Sequence, residues 1–267
     1  MTLSPTAFPP LAWVAALGRA TLALCRTAGA VVLFALEGLS HVVRPPFHFR
    51  LFLRAFLEVG YFSLPVVGLT AVFTGMVLAL QSFSGFSRFG AEGAVANVVV
   101  LSITRELGPV LAALMVSGRI GAAFAAEIGT MRVTDQIDAL TTLSTDPMKY
   151  LVTPRLLAGL LAMPLLVLVA DVLGVMGGYL IGTLKLGFGS ATYLKSTLDV
   201  LQVMDVVSGL VKAAVFGFVV ALMGTWCGYN SRGGAQGVGA ATTTAVVASS
   251  ILILALDYVL TEAFFAR

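Results

Sequence analysis

Among the few charged residues inside the long apolar stretches of this sequence, four could form one group. Arg105 and Glu106 are adjacent in one stretch, Lys212 lies in a second and Asp257 lies in a third. A charge inside a bilayer is costly, and such residues usually pair with one another and serve a function. Because the two positive and two negative charges cancel, two interpretations are open. The set is either an ion-pair network that only fixes helix packing, or the polar lining of an apolar cavity for a ligand with a charged head and apolar tails.

The spacing of these charges places them well inside a bilayer. Glu106 lies thirteen residues after Gly93, and Lys212 lies thirteen residues after Asp199. At 1.5 Å per residue this distance is roughly 20 Å of helix, in a hydrocarbon core about 30 Å thick. Asp257 is expected nearer the outer side of the membrane.

Three further polar residues belong to the same set. Gln81 closes the first apolar stretch toward the outer side. Asp171 and Asp205 are weaker members, and Asp205 is close enough to the start of a stretch to be an ordinary boundary charge.

A second group of polar residues follows an apolar stretch, between residues 129 and 142. Thr134 is predicted to cap a short helix that begins at Asp135, because its hydroxyl can accept an exposed backbone N–H. Acidic residues near that N-terminus suit the helix dipole, and apolar residues form a side that a partner protein could cover. The predicted docking residues are Thr134, Asp135, Gln136, Ile137, Asp138 and Leu140.

Several classes of function find no support in the sequence. It contains no GxSxG, HExxH, CxxC or GxxxxGK[ST] motif, so the chain is not expected to be an enzyme or its own ATPase. No basic run indicates a nucleic-acid partner. Cys25 and Cys227 lack metal-ligand spacing and are interpreted as small buried hydrophobic residues. His41 and His48 are expected at a membrane surface rather than on a metal.

The elements that position these residues are predicted to be membrane-spanning helices. Of the 267 residues, 58% are hydrophobic and 11% are charged, whereas soluble domains carry about 25% charged residues. Five apolar stretches exceed the roughly 20 residues that a span needs, so we predict an all-α integral membrane protein. The second could extend about 50 Å and is expected to bend at Gly108–Pro109. The stretches are roughly 57–83, 94–127, 152–183, 202–228 and 239–264.

Residues 11–43 are predicted to form an amphipathic helix lying in the membrane interface. Three charged side chains share one face at 3.6 residues per turn, opposite an apolar face. The charged residues are Arg19, Arg26 and Glu37. Pro45–Pro46 is expected to end this helix. The alternative is a true span over 28–43, which is shorter than a span needs and contains a glutamate.

Loop charges predict the orientation of the chain. With five spans, nine Lys or Arg residues fall on the N-terminal side and four on the opposite side. Positive charges collect on the cytoplasmic side, so the N-terminus is expected in the cytoplasm and the C-terminus outside. We therefore divide the chain into a cytoplasmic or interfacial helix, 1–49, and a five-span membrane domain, 50–267.

One run of the sequence resembles a known family. Residues 105–140, RELGPVLAALMVSGRIGAAFAAEIGTMRVTDQIDAL, resemble the hallmark region of the MlaE/YrbE family of ABC-transporter permeases, and the similarity extends over roughly 50–265. The resemblance implies a homodimer of five-span permeases in the bacterial inner membrane. It also implies transport of phospholipid between the inner and outer membranes. The expected partners are a cytoplasmic ATPase that binds ATP and Mg²⁺, a small STAS-domain protein and a periplasmic MCE-domain protein, and this chain itself is expected to hold no cofactor.

The resemblance also implies roles for individual residues. The segment Thr134–Leu140 matches the cytoplasmic coupling helix between spans two and three, which docks on the ATPase. The positions near the lipid cavity are matched by Gln81, Arg105, Glu106, Lys212 and Asp257. Two alternatives remain open from the residues: a secondary transporter that uses Glu106 or Asp257 as a proton site, and a non-transporting scaffold that anchors an ATPase.

Overall fold

The chain folds as a bundle of helices. The computed structural model describes residues 9–42 and 48–265, and no strand occurs in these two ranges. The prediction of an all-α fold is confirmed. The α-helices are α1 Pro9–Ser40, α2 Phe49–Val59, α3 Leu64–Phe86, α4 Val95–Ser102, α5 Gly108–Val116, α6 Ala122–Val133, α7 Gln136–Thr142, α8 Thr153–Leu184, α9 Ser190–Val200, α10 Val203–Tyr229 and α11 Gly234–Phe265.

Six helical runs within the described ranges are long and apolar enough to cross a bilayer. Five of them coincide with the predicted stretches and are called spans one to five. In chain order they are Phe49–Phe89, Glu92–Val133, Met148–Leu184, Val203–Tyr229 and Gly234–Phe265. Each apolar stretch therefore became one helical run, because a backbone in hydrocarbon must satisfy its hydrogen bonds internally.

The sixth run is the N-terminal helix α1. Its apolar part covers Trp13–Ser40, 28 residues, which is long enough to span a membrane, so the bounds 28–43 given to the alternative span are wrong. Side chains 13–29 are exposed, whereas Phe34 is buried and its ring centre lies 5.2 Å from that of Trp226. The helix thus packs on the bundle through its C-terminal end. Its interfacial placement stays a prediction, and Pro45–Pro46 lies outside the described residues.

One of the two cysteines lies in the exposed part of α1. Cys25 is exposed, so its interpretation as a buried residue is wrong, and Cys227 on span four is half-buried. The reason is that α1 contacts the bundle only through its C-terminal part, and Cys25 lies in the exposed part before it. Beyond its end, His41 Nε2 lies 2.8 Å from Asp146 Oδ2, which ties the end of α1 to the segment before span three.

Span two leaves α-helical geometry at two places. Ile103–Leu107 and Ser117–Gly121 are π-helical turns, separated by α5. The first lies directly before Gly108–Pro109, where the sequence predicts a bend. Proline lacks the N–H that an α-helix interior needs, and a π-helical turn shifts the register of the backbone hydrogen bonds. The helix therefore accommodates Pro109 by a change of register.

Spans three and four form the centre of the bundle. A Cβ atom on Gly159 or on Gly217 would overlap the backbone of the other, so the two helices touch backbone to backbone at this crossing. Such close approach of small residues is typical of helix packing in membranes. Phe216 and Met163 are buried beside it. This rigid pair supports span two, which carries most of the candidate site.

Candidate functional site

Lys212 on span four is the centre of a buried ion-pair cluster. Its side chain is fully buried, and Nζ lies 2.8 Å from Glu106 Oε2 and 2.9 Å from Asp257 Oδ1. Nζ also donates to the backbone oxygen of Arg105 at 3.0 Å and to Thr261 Oγ1 at 2.7 Å. Four oxygen atoms thus offset the desolvation of one ammonium. The cluster joins spans two, four and five.

The backbone acceptor for Lys212 exists because of Pro109. In a regular α-helix the Arg105 oxygen would accept the N–H four residues later, which Pro109 lacks. In the π-helical turn, Gly108 N–H donates to Ile103 O instead. The Arg105 carbonyl is therefore left without its α-helical donor, and Lys212 Nζ donates to it.

A glycine brings span four close enough for this contact. A Cβ atom on Gly209 would overlap the backbone oxygen of Thr104, so a residue with a side chain would push the helices apart. Lys212 lies three residues later and hence on the same helix face as Gly209. The close approach at Gly209 therefore positions the ammonium of Lys212 against span two.

Arg105 does not pair with its neighbour Glu106. Its NH2 lies 2.7 Å from Asp205 Oδ1, and its Nε donates to the same oxygen at 2.8 Å. Asp205 Oδ2 accepts the backbone N–H of Gln202 and caps the start of α10. Asp205 is only 1% exposed, so its interpretation as an ordinary boundary charge is wrong. The reason is that its two oxygens are both used inside the bundle, one in a helix cap and one in an ion pair with Arg105.

The cluster presents both signs of charge at its surface. The side chains of Glu106 and Arg105 are 37% and 33% exposed, whereas those of Lys212 and Asp205 are buried. The Arg105 guanidinium also lies 4.3 Å from the ring centre of Phe265. A guanidinium can bind phosphate through paired hydrogen bonds, and a carboxylate can bind an ammonium group. The exposed pair is thus complementary to a zwitterionic head group.

Gln81 lies apart from this cluster. It is exposed on span one, and its role near a lipid cavity stays a prediction. Between spans one and two runs a shallow apolar groove that reaches the residue next to Glu106. Its lining includes Thr70, Thr74, Leu107, Leu111 and Met115. Leu107 lines this groove, whereas Arg105, Glu106 and Lys212 do not.

The predicted docking segment forms the short helix α7, but its N-terminus differs from the prediction. Asp135 occupies the N-cap position with φ 57°, in the left-handed region, and its side chain makes no capping hydrogen bond. Thr134 Oγ1 donates backward to Thr130 O at 2.8 Å, so the prediction that Thr134 caps the helix is wrong. The left-handed residue separates Thr134 from α7 and leaves it at the end of α6.

The exposed face of α7 is mostly polar. Ile137 is 1% exposed and packs into the core of its own chain, so a partner protein cannot cover it. Leu140 is half-buried, whereas Leu143 just after the helix is 75% exposed. Asp138 pairs with Arg132 at 2.8 Å. The exposed positions from Thr134 to Leu143 are Thr134, Asp135, Gln136, Asp138, Ala139, Thr141, Thr142 and Leu143.

Arg119 is a charged residue of span two that the sequence interpretation missed. Its NH1 donates to Ser63 Oγ at 2.8 Å and to Glu58 O at 3.1 Å, and no carboxylate within the described ranges pairs with it. The signal was present as an arginine inside the second apolar stretch. Arg155, near the start of span three, also pairs with span two, since its NH2 lies 2.6 Å from Glu127 Oε2.

Comparison with known proteins assigns the sequence to a family. Residues 52–263 match the family described as Permease MlaE. A relative in Rickettsia bellii (strain RML369-C), named "Probable ABC transporter permease protein", is 57% identical over 249 residues, which cover 93% of this chain and 96% of the relative. A relative in Haemophilus influenzae (strain ATCC 51907 / DSM 11121 / KW20 / Rd), named "Intermembrane phospholipid transport system permease protein MlaE", is 34% identical over 257 residues, 95% of this chain and 97% of the relative.

A plant relative extends the similarity beyond bacteria. The Arabidopsis thaliana protein named "Protein TRIGALACTOSYLDIACYLGLYCEROL 1, chloroplastic" is 38% identical over 238 residues, 89% of this chain and 66% of the relative. Residues 52–263, which match the family described as Permease MlaE, contain all five spans except for the first residues of span one and the last residues of span five. The chain therefore belongs to the MlaE permease family and is a membrane permease of an ABC transporter.

Proposed function

We propose that this chain is the permease subunit of an ATP-driven transporter that moves phospholipid between the inner and outer membranes of a bacterium. The single observation that carries the proposal is the exposed pair of opposite charges, Arg105 and Glu106, within an otherwise apolar membrane span. A phospholipid joins a charged head to apolar chains, which is the chemistry this arrangement fits. The printed name of the Haemophilus influenzae relative supports the same cargo.

In the proposed mechanism the charged cluster contacts the phospholipid head. Arg105 binds the phosphate, and Glu106 faces an ammonium group where the head carries one. Lys212 and Asp205 are buried and hold these two side chains in place through ion pairs. Head-group contact therefore competes with the internal pairs, which makes the cluster a gate as well as a binding site.

The proposed assembly contains two copies of this chain and several partners. A cytoplasmic ATPase binds ATP and Mg²⁺ and docks on the exposed residues around α7. A STAS-domain protein associates with the ATPase, and an MCE-domain protein on the periplasmic side continues the lipid path. The chain sits in the inner membrane with its N-terminus in the cytoplasm and its C-terminus in the periplasm.

Purification from the native membrane in gentle detergent tests the assembly. Mass spectrometry of the purified material is expected to find an ATPase, an MCE-domain protein and phospholipid. Replacement of Asp135 by asparagine, which tolerates the left-handed backbone at φ 57°, and of Asp138 by alanine is expected to remove the ATPase and leave the fold intact, because both side chains are exposed. A lone chain, obtained under conditions that keep other ABC complexes intact, would contradict the proposal and favour the proton-coupled alternative.

A matched pair of variants tests the binding site. Arg105→Ala/Glu106→Ala is expected to retain the partners but lose bound phospholipid and transport. The control, Lys195→Ala/Asp199→Ala, also removes one charge of each sign, from exposed positions of α9 outside the spans. Wild-type transport by an assembled Arg105→Ala/Glu106→Ala variant would exclude the proposed gate.

A further inference from the structure

Asp171 on span three is a buried carboxyl that has no partner among the described residues. The residue is only 7% exposed, and its Oδ1 atom makes no hydrogen bond within the described ranges. No ion pair reaches it from any described residue, in contrast to Glu106, Asp205 and Asp257, which pair with cations. Buried polar groups in native proteins are almost always satisfied, so an exception calls for a ligand or another specific explanation.

The same carboxyl lines the wall of a large apolar groove. The groove has a volume of about 440 Å³ and lies between spans two, three and four and the helix α9. This volume falls within the 300–1,000 Å³ range of small-molecule sites, which are mostly apolar and carry a few polar groups. Apart from Asp171, the described lining residues carry no charge, and Thr104 and Thr197 use their hydroxyl protons on backbone oxygens. Asp171 is therefore the charged group that a polar ligand atom would meet, and the hydroxyl of Tyr179 is the remaining polar group of the described lining.

The groove opens toward the membrane. Several of its lining residues are large, apolar and exposed, which is the surface that lipid reaches. These residues are Leu168, Val172, Met176, Leu194 and Leu198. Oδ1 of Asp171 packs against Gly108, which lines the shallow groove between spans one and two, so a ligand in the large groove is left the other carboxyl oxygen, Oδ2. The two grooves are thus separate, and Arg105, Glu106 and Lys212 do not line the one that contains Asp171.

We propose that this groove binds a neutral amphiphile that carries a hydroxyl group on an apolar body, with the hydroxyl bonded to Asp171. A hydroxyl both donates and accepts, so it satisfies the carboxyl whether the carboxyl is charged or protonated. A free cation would have to leave water for the hydrocarbon, which is far more costly than the transfer of a hydroxyl. This site is additional to the phospholipid site at Arg105 and goes beyond the proposed transport function.

Photolabelling of the whole complex in lipid nanodiscs tests the proposal. The probe is a long-chain alcohol with a diazirine in its chain, and the matched probe is its methyl ether, which cannot donate a hydrogen bond. Peptide mapping is expected to find the alcohol on Val172, Met176 or Leu198. Leu165 and Leu254 are equally exposed to the membrane but lie outside the groove, and they report background labelling.

Two comparisons decide the outcome. Loss of the hydrogen bond is expected to reduce groove labelling about tenfold, both with the ether on the wild-type chain and with the alcohol on Asp171→Leu. Asp171→Asn keeps a hydrogen-bonding side chain and is expected to retain most of the labelling. The ether comparison needs no variant and so is independent of folding. Equal labelling by alcohol and ether, or equal labelling of the groove and the background residues, would overturn the proposal.

Discussion

Replacement of Lys212 by methionine removes the cation that faces both Glu106 and Asp257. Methionine has a similar length and fits an apolar bundle, so the change deletes charge with little change in volume. It leaves two carboxylates close together and removes the donor from Arg105 O and Thr261 Oγ1. The variant therefore tests whether the cluster is held by its ion pairs.

The expected loss of stability follows from burial. Removal of one partner of a buried ion pair costs about 3–5 kcal/mol, because the other charge stays desolvated. Glu106 is 37% exposed and can regain water, so we expect a loss near the lower end, about 3 kcal/mol. The neutral variant Lys212→Met/Glu106→Gln/Asp257→Asn leaves no unpaired charge and is expected to recover most of that loss.

Denaturant unfolding of the purified complex measures these differences. The fluorescence of Trp226 on span four provides the signal, and Trp13 is replaced by phenylalanine in every sample so that one tryptophan remains in this chain. A loss below about 1 kcal/mol for Lys212→Met, the size typical of exposed pairs, would refute the reasoning. So would a triple variant as unstable as the single one.

Three further predictions address other parts of the chain. Gly209→Ala places a methyl group against Thr104 O and is expected to lower thermal stability, whereas Gly118→Ala meets open space and is expected to stabilise the helix by up to about 1 kcal/mol. Leu143→Asp is expected to weaken co-purification of the ATPase several-fold without a change in thermal unfolding, and unchanged co-purification would contradict the docking proposal. Burial raises the pKa of Tyr193 on α9 from 10.0 to about 12. Its contribution to stability is thus fully present below pH 10 and is lost between pH 10 and about 12, at up to about 1.4 kcal/mol per pH unit. Tyr193→Phe is expected to remove that dependence in unfolding measurements, and an identical pH profile would contradict it.

Composition and apolar length were sufficient to predict the spans. Hydrocarbon leaves the backbone few choices, so an apolar stretch of sufficient length becomes a helix whatever its neighbours do. The helix predicted over 11–43 is also present, as α1, but its length does not say where it lies, because an exposed helix that carries Arg19 and Arg26 can lie in the interface or cross the membrane. Length therefore identifies helices better than it identifies their placement in the membrane.

Which charges exist in the spans could be predicted, but not which of them pair. Arg105 reaches Asp205 rather than Glu106 because adjacent helix positions point about 100° apart, and the partner comes from a helix a hundred positions later. Asp171 looked similar to Asp205 in the sequence, yet Asp205 pairs with Arg105, whereas Asp171 has no partner in the part of the chain that the structure describes. Such differences depend on helix packing, which a pattern in one chain does not contain.

The backbone conformation at the start of α7 could not be predicted from the sequence pattern either. Thr134 followed by acidic residues is typical of a helix N-cap, and the prediction used that pattern. A single left-handed residue, Asp135, made Thr134 the end of one helix rather than the start of the next. The inward packing of Ile137 against the bundle favours this turn, since burial of a large apolar side chain outweighs one capping bond.

The two π-helical turns make span two unevenly tolerant of changes in length. A π-helical turn holds one residue more than an α-helical turn, so deletion of one residue within Ser117–Gly121 can restore regular α-helix and leave both flanks in their original orientation. The regular helix α5 has no extra residue to lose, so deletion of one residue there rotates everything after it by about 100° relative to Glu106. Ile137 would then face outward, and the docking face would turn into the bundle. The length of span two between its charged cluster and α7 is therefore constrained residue by residue, except where a π-helical turn holds a spare one.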